Sequence, residues 1–251
     1  MQIRWITIFF DLPAAAFDTG AGFWAEMTGT TLSERRGAEA EFATLRPSAG
    51  DAYLRVQRLQ RISDGAGCHL DLHVDAAAMD GAVAAASALG ATLRRREPRL
   101  AVLDSPGGFA FCFVPWEGEA AVPEPVRFTP GGASRVDTLC IDAPSTAFES
   151  ECSFWAALTG WKLRAAGVPG YSRLERPSGS PVRLLFQRRD DAEPQARVSG
   201  HVDLGADDVD HLLERHVLGG AQVLAEFPDW VTLTDPAGHP YCLIRQSPWD
   251  R

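Results

Sequence analysis

Strand-like and helix-like patterns of hydrophobic residues alternate along the chain, and the order in which they occur repeats. Residues Ile3–Phe10 form a β-branched and aromatic run, which predicts a buried strand. After Pro13 the apolar residues recur at helical spacing, and Gly29 lies where a glycine commonly ends a helix. Three shorter extended segments follow, near residues 31–33, 42–45 and 53–59. We therefore predict one strand, one helix and three further strands in this part of the chain.

The same order then recurs three more times. Residues 68–114 predict a strand at 68–75, a helix at 76–89, and strands at 92–94, 100–104 and 109–114. The whole pattern of residues 4–114 returns about 131 positions later, where Arg135–Leu139 matches Arg4–Ile8. Solenoid repeats have units of roughly 20–50 residues. A period this long indicates two copies of a complete domain.

The segment between the copies is rich in proline and glycine and has no hydrophobic period. Pro123 and Pro125 each remove a backbone donor and favour extended backbone before them. We predict a first domain at residues 1–116, a linker at 117–133 and a second domain at 134–251. The element order favours mixed sheets with helices on one face. We expect two such sheets to face each other and enclose an apolar pocket.

Composition narrows the class of protein. The chain of 251 residues has a formal net charge of −9, which argues against binding to nucleic acid. Its five cysteines are widely spaced and do not predict a disulfide framework. Neither a signal pattern nor an apolar run of about 18 residues is present. We predict a cytoplasmic monomer or homodimer whose partner is a small molecule, with no membrane or nucleic-acid partner.

Several motifs occur in both copies. Paired His-x-Asp-Leu strands contain His69 and His201, and each copy carries a Phe-Trp pair in its first helix. The turns at Asp104 and Asp235 each lead to an aromatic-Cys pair. These features resemble the vicinal oxygen chelate superfamily, which includes glyoxalase I, extradiol dioxygenases, and fosfomycin and bleomycin resistance proteins. The resemblance implies an α+β fold in which four βαβββ modules form two tandem glyoxalase-like domains with cup-shaped mixed sheets.

The resemblance also implies a set of metal ligands, of which this chain keeps only the fifth-strand histidines, His69 and His201. The remaining positions carry other residue types: Thr7 and Thr138 on the first strand, Gln57 and Gln187 near the fourth-strand position, and Cys112 and Cys242 on the eighth strand. A divalent ion normally needs three strong ligands. We expect no metal cofactor, with a divalent metal at His69, His73, Asp71 and Cys112 as the alternative.

Strand alternation groups the polar residues of each His-x-Asp strand on one face, which we expect to face the cavity. We assign catalytic roles to His69, Asp71, His201 and Asp203. Arg99 is taken as the first-copy counterpart of Trp230. The ligand-binding candidates lie on the same predicted faces: Trp5, Thr7, Phe9, His73, Arg99, Cys112, Thr138, Trp230, Thr232 and Cys242. Internal His–Asp pairing and cysteines that are merely buried remain the alternatives, and we expect His216 to be exposed.

Three functions remain open. The first is binding of a small apolar or aromatic organic molecule without an intact metal site. The second is a metal-free acid–base enzyme (an isomerase, cyclase or lyase) that uses a cavity histidine held by a carboxylate. The third is a divalent-metal-dependent lyase or dioxygenase.

Overall fold

A computed structural model describes residues 2–60 and 67–249. The first sheet contains β1 (Trp5–Pro13), β2 (Thr31–Leu32), β3 (Phe42–Arg46), β4 (Leu54–Leu59), β5 (Cys68–Val74), β6 (Thr92–Glu97), β7 (Leu100–Asp104) and β8 (Ala110–Pro115). Its helices are α1 (Phe17–Met27) and α2 (Met79–Ala88). Each lies close to its predicted position, although α1 begins at Phe17 rather than at Pro13.

The second copy repeats these elements and adds one short strand. Its strands are β9 (Val126–Arg127), β10 (Ala133–Pro144), β11 (Leu163–Ala165), β12 (Tyr171–Leu174), β13 (Arg183–Arg189), β14 (Ser199–Ala206), β15 (Gln222–Glu226), β16 (Trp230–Thr234) and β17 (Pro240–Ile244). Its helices are α3 (Phe148–Thr159) and α4 (Val209–Leu218). Strand β9 and the start of β10 lie inside the predicted linker, so the domain boundaries stay a prediction.

Both sheets have the same strand order. It is β2-β3-β4-β1-β5-β8-β7-β6 in the first copy and β11-β12-β13-β10-β14-β17-β16-β15 in the second. The central pair is antiparallel, and each central strand has a parallel partner on its outer side. The α+β fold of four βαβββ modules in two mixed sheets is therefore confirmed. No helix within the described ranges is both long and apolar enough to cross a bilayer.

The helices pack against the neighbouring domain as well as their own sheet. Trp24 of α1 stacks on Phe10 at 4.1 Å between ring centroids and contacts Tyr241 of β17 at 5.1 Å. Reciprocally, Trp155 of α3 contacts Phe111 of β8 at 5.2 Å. Helices α1 and α3 therefore form part of the contact between the two domains.

Two buried carboxyl groups complete this interface in different ways. The Trp24 indole donates to Asp235 Oδ2 at 2.8 Å. The turn hydrogen bonds align Asp235 with Ser105, not with Asp104 as the sequence motif suggests. The missing carboxylate comes from Glu151 of α3, which accepts from Ser105 Oγ at 2.9 Å and from the Trp155 indole at 3.0 Å. A carboxylate on the turn in one copy is thus replaced by a carboxylate on the helix in the other.

His216 differs from its predicted exposure. It is fully buried, and its Nδ1 lies 2.8 Å from the hydroxyl of Tyr241. Burial lowers the pKa of His216 to about 3, so its imidazole is neutral. The sequence places it on a polar helix, but that helix packs against β17 and the neighbouring domain.

Replacing Glu151 with alanine should destabilise the folded chain by about 3 kcal/mol, since buried donors lose their acceptor. These donors are Ser105 Oγ, the Gly107 N–H and the Trp155 indole. Equilibrium urea unfolding measures the change. The matched control is Glu149→Ala on the exposed side of the same helix, which should change stability by less than about 0.5 kcal/mol. Equal effects of the two substitutions would contradict the assignment.

Candidate functional site

The second sheet curves around a cavity of about 770 Å³. This volume lies in the usual range for small-molecule sites, about 300–1,000 Å³. All of its lining residues belong to the second copy. Its floor is formed by side chains of β10, β14 and β17: Thr138, Cys140, Asp142, His201, Asp203 and Cys242. Its wall carries the apolar groups Val168, Tyr171, Leu224, Phe227 and Trp230.

An imidazole held between two carboxyl groups occupies the middle of the floor. His201 Nδ1 lies 2.6 Å from Asp142 Oδ2, and its Nε2 lies 3.3 Å from Asp203 Oδ1. Strand pairing explains the arrangement, because Cys140 of β10 lies opposite His201 of β14. Asp142 is two residues beyond Cys140 and therefore faces the same side of the sheet. His201 and Asp203 meet here as predicted, whereas Asp142 was not among the predicted site residues.

The two aspartates control the charge of this imidazole. Burial lowers the pKa of His201, but the neighbouring Asp142 and Asp203 carboxylates outweigh it and raise the pKa well above 6.5. His201 is therefore an imidazolium near neutral pH. In chemical terms it can donate a proton or a hydrogen bond, but it is not a free base.

Two thiols flank the imidazole. Burial raises the pKa of Cys140 and of Cys242, so both are neutral thiols. The sulfur of Cys242 lies 3.6 Å from Thr232 Oγ1, which brings these two predicted residues together on the floor. A neutral thiol in this setting behaves as a small apolar group.

The first domain contains the same cluster in a more covered form. His69 Nδ1 lies 2.9 and 2.8 Å from the two oxygens of Asp11, while its Nε2 is 3.9 Å from Asp71 Oδ1. The Phe9 ring stacks on the His69 ring, with 4.6 Å between centroids and 10° between planes. Strand pairing puts Cys140 at the position of Phe9. In the second domain the small residue Cys140 leaves the face of the imidazole ring open. In the first domain the phenyl ring of Phe9 covers that face.

Other first-domain candidates contact one another. Thr7 Oγ1 lies 2.9 Å from His73 Nε2, and the two residues are buried. Burial also lowers the pKa of His73 to about 3. Trp5, which is 1% exposed, pairs across the central strands with His73. In the first domain Cys112 of β8 lies opposite Asp71.

Arg99 lies outside the floor. It is exposed in the turn before β7 and pairs with Glu117. Residue pairing between β7 and β8 and between β16 and β17 makes Leu100 the counterpart of Trp230. The correspondence of Arg99 with Trp230 is therefore wrong by one residue.

A β-bulge in β10 inserts one residue that has no counterpart in β1 of the first copy. The pairing of β10 with β14 shifts between Val136 and Thr138, so that Asp137 is the extra residue. Asp137 is buried, accepts from Thr138 Oγ1 at 2.8 Å and lies 3.2 Å from Arg183 Nη2. The hydroxyl of Thr138 therefore donates its hydrogen bond to Asp137.

Two clusters among the described residues could hold a metal ion: His69, Asp71 and Cys112, and Cys140, His201 and Asp203. In each, one ligand atom per residue lies within 4.8 Å of the others. Because Asp142 holds Nδ1 of His201, Nε2 is left for an ion, as is usual for metal-binding histidines. Sulfur, imidazole and carboxylate suit Zn²⁺. The residues thus fit a small tetrahedral ion, which would have to displace both the thiol proton of Cys140 and the Nε2 proton of the His201 imidazolium.

The glyoxalase-like domain model matches the chain twice, at residues 7–114 and 138–244. These matches span most of the chain. The protein therefore belongs to the glyoxalase-like domain family of the vicinal oxygen chelate superfamily, as a tandem member.

Solved structures share this fold. The 2,2',3-trihydroxybiphenyl 1,2-dioxygenase of Sphingomonas wittichii RW1 is 12% identical, with 95% of this chain and 88% of that chain covered and a TM-score of 0.64. A catechol 2,3-dioxygenase is 13% identical, with 100% and 92% covered and a TM-score of 0.63. A variant of 4-hydroxymandelate synthase from Streptomyces coelicolor is 14% identical, with 98% and 93% covered and a TM-score of 0.58. Among curated proteins, none matches. At these identities the likeness extends to the fold alone.

An NMR titration of the histidine rings tests the electrostatics of the cluster. His201 should remain protonated well above pH 6.5, and Asp142→Asn should lower its titration midpoint. His216 provides an internal reference, because its ring should stay neutral down to a pKa of about 3. A His201 midpoint at or below 6.5 in the unsubstituted protein would contradict the assignment.

The raised pKa of His201 also predicts that the stability of the folded chain depends on pH. A folded-state pKa above the unfolded value stabilises the folded chain fully below the unfolded pKa, and this contribution disappears as pH rises through the folded pKa. His201→Gln should therefore cost more stability in mildly acidic than in alkaline buffer, as measured by urea unfolding. The reverse order would show that the imidazolium is not stabilised by Asp142 and Asp203.

Proposed function

We propose that the second domain binds a small organic molecule with an aromatic or apolar body in its sheet-lined cavity. The observation that carries this proposal is the 770 Å³ cavity itself, which has an apolar wall and a polar floor. Small-molecule sites commonly combine an apolar lining with a few converging polar groups. A polar group of the ligand would point towards His201, and its apolar body would contact the wall.

The wall supports an aromatic or apolar ligand. Phe227 and Trp230 stack at 4.6 Å between ring centroids. Phe227 is 43% exposed and Leu224 is 59% exposed, although both line the cavity. Covering such groups with a ligand is favourable by about 25 cal/mol for each Å² of apolar surface removed from water. Flat rings add stacking energy to this gain.

The floor supports binding by the second domain rather than the first. His201 and Cys140 line the cavity, whereas the corresponding imidazole of His69 lies against Phe9. The polar groups of the floor are held in place by hydrogen bonds within the protein. They can orient a ligand without a metal ion.

Binding of 2-naphthamide, a neutral aromatic probe, tests the proposal by isothermal titration calorimetry. Trp230→Ala should weaken binding about tenfold or more, because the variant loses a large ring contact. The matched control is Leu100→Ala, its counterpart in the first domain, which should leave the affinity unchanged. Cys140→Phe should abolish binding, since a phenyl ring would then cover His201 as Phe9 covers His69.

Circular dichroism and thermal melting confirm that each variant is folded. An unchanged affinity in both Trp230→Ala and Cys140→Phe would place the probe elsewhere and overturn the proposal. Loss of binding in Leu100→Ala alone would move the site to the first domain.

A metal-dependent lyase or dioxygenase is the second candidate, and the cluster of Cys140, His201 and Asp203 favours it. A divalent ion bound there would polarise a substrate oxygen. Elemental analysis of the purified chain tests this function. It requires one equivalent of divalent metal that is lost in Asp203→Asn and kept in the matched variant Asp71→Asn.

A further inference from the structure

The two copies of the imidazole–carboxyl cluster differ in how their oxygens are satisfied. In the first domain both oxygens of Asp11 contact His69, and neither Asp11 nor Asp71 has a buried oxygen without a hydrogen-bond partner. In the second domain, Asp142 Oδ1 is buried and has no hydrogen-bond partner among the described residues, while Asp203 Oδ1 is buried with a 3.3 Å contact to His201 Nε2 that is not an aligned hydrogen bond. Both aspartates line the cavity.

Buried oxygens of this kind call for an explanation. Leaving a buried acceptor without a hydrogen bond destabilises the folded chain, and more so when the group is charged. Native structures contain few such groups, and each one points to a bound water, an ion or a functional role. Because both oxygens of Asp11 contact His69 in the first domain, the motif itself does not force the equivalent carboxyl group of Asp142 to keep one oxygen without a hydrogen bond. In the second domain, the carboxyl groups of Asp142 and Asp203 face the cavity.

The charges of the cluster indicate which kind of group is missing. Two carboxyl groups, those of Asp142 and Asp203, share the single imidazole of His201. Two of the arginines that line the cavity have other carboxylates: Arg189 bonds to Asp191 at 2.8 Å, and Arg183 pairs with Asp137. The two carboxyl groups therefore offer more acceptor oxygens than the imidazole has N–H donors, and a cavity ligand with N–H groups can supply the difference.

The positions of the two oxygens favour a forked donor over a single ion. Asp142 lies at the Nδ1 side of His201, and Asp203 lies at its Nε2 side. An ion on Nε2 would use Asp203 and leave Asp142 Oδ1 unsatisfied. A group with two or more N–H bonds can donate to both aspartates.

We infer that the ligand of the second domain is an aromatic organic cation, such as an amidine, a guanidine or an amine, whose N–H groups donate to Asp142 and Asp203. Its aromatic body lies against Trp230. This inference rests on the proposed function and adds the charge and the donor pattern of the ligand.

Three probes of nearly the same shape test the inference: 2-naphthamidine, a cation; 2-naphthamide, which is neutral; and 2-naphthoate, an anion. Their affinities for the full chain are measured by calorimetry in buffer with EDTA. The amidine should bind at least tenfold more tightly than the amide, and the naphthoate should bind most weakly, since charge-assisted hydrogen bonds are worth about 1.5–3 kcal/mol.

Substitutions of the aspartates test which side chains cause the preference for the amidine. Asp142→Asn and Asp203→Asn should each reduce the advantage of the amidine about tenfold. The matched first-domain variants, Asp11→Asn and Asp71→Asn, should leave it unchanged. The order of the three probes on the unsubstituted protein tests the inference even if a variant does not fold.

The outcomes separate the two proposals. If the amide or the naphthoate binds as tightly as the amidine and binding still depends on Trp230, the inference is wrong and the proposed function stands. If none of the three probes binds, the proposed function is wrong. A preference for the amidine that survives in both Asp142→Asn and Asp203→Asn overturns the inference. So does an amidine preference that appears only after a stoichiometric metal has been added.

Discussion

The antiparallel pairing of the two central strands is the constraint on which the rest of each domain depends. It joins the two βαβββ modules and sets which residues share the concave face of the sheet. In the second domain this pairing places Cys140 opposite His201, and Asp203 opposite Thr138. A slip of one residue would turn the whole polar set towards the helices. The imidazole cluster therefore exists because the register is fixed by the apolar residues of the other face.

The duplication provides an internal comparison for each functional argument. Both copies keep an imidazole between two carboxyl groups, and they differ in the residue that lies on the ring. Phe9 stacks on His69, whereas Cys140 leaves His201 at the floor of a cavity. The interface between the domains shows a comparable exchange, with the carboxylate of Asp235 replaced by that of Glu151. The two copies thus differ in individual side chains, while each keeps a buried carboxyl group at the contact between the domains.

The hydrophobic periods predict most of the fold, because buried strands and amphipathic helices have direct sequence signatures. They do not predict where the domains touch. His216 lies on a polar helix in the sequence, but in the structure it is buried against Tyr241. Contacts between distant parts of the chain decide such features, and no local pattern contains them.

The site shows a similar division. Alternation correctly grouped His201 with Asp203, and the same rule applied to β10 would have added Cys140 and Asp142. The extra residue of the bulge, Asp137, could not be found in this way, because a bulge interrupts the alternation itself. Nor does the sequence show which carboxylate oxygens lack a donor. That depends on the geometry of several strands at once.

A crystal structure of the full chain with bound 2-naphthamidine tests the central claim most directly. We predict that the naphthyl ring lies against Trp230 in the second domain, with the amidinium nitrogens within hydrogen-bond distance of Asp142 and Asp203. A probe bound in the first domain, or a metal ion on Nε2 of His201 with no organic molecule in the cavity, would contradict it.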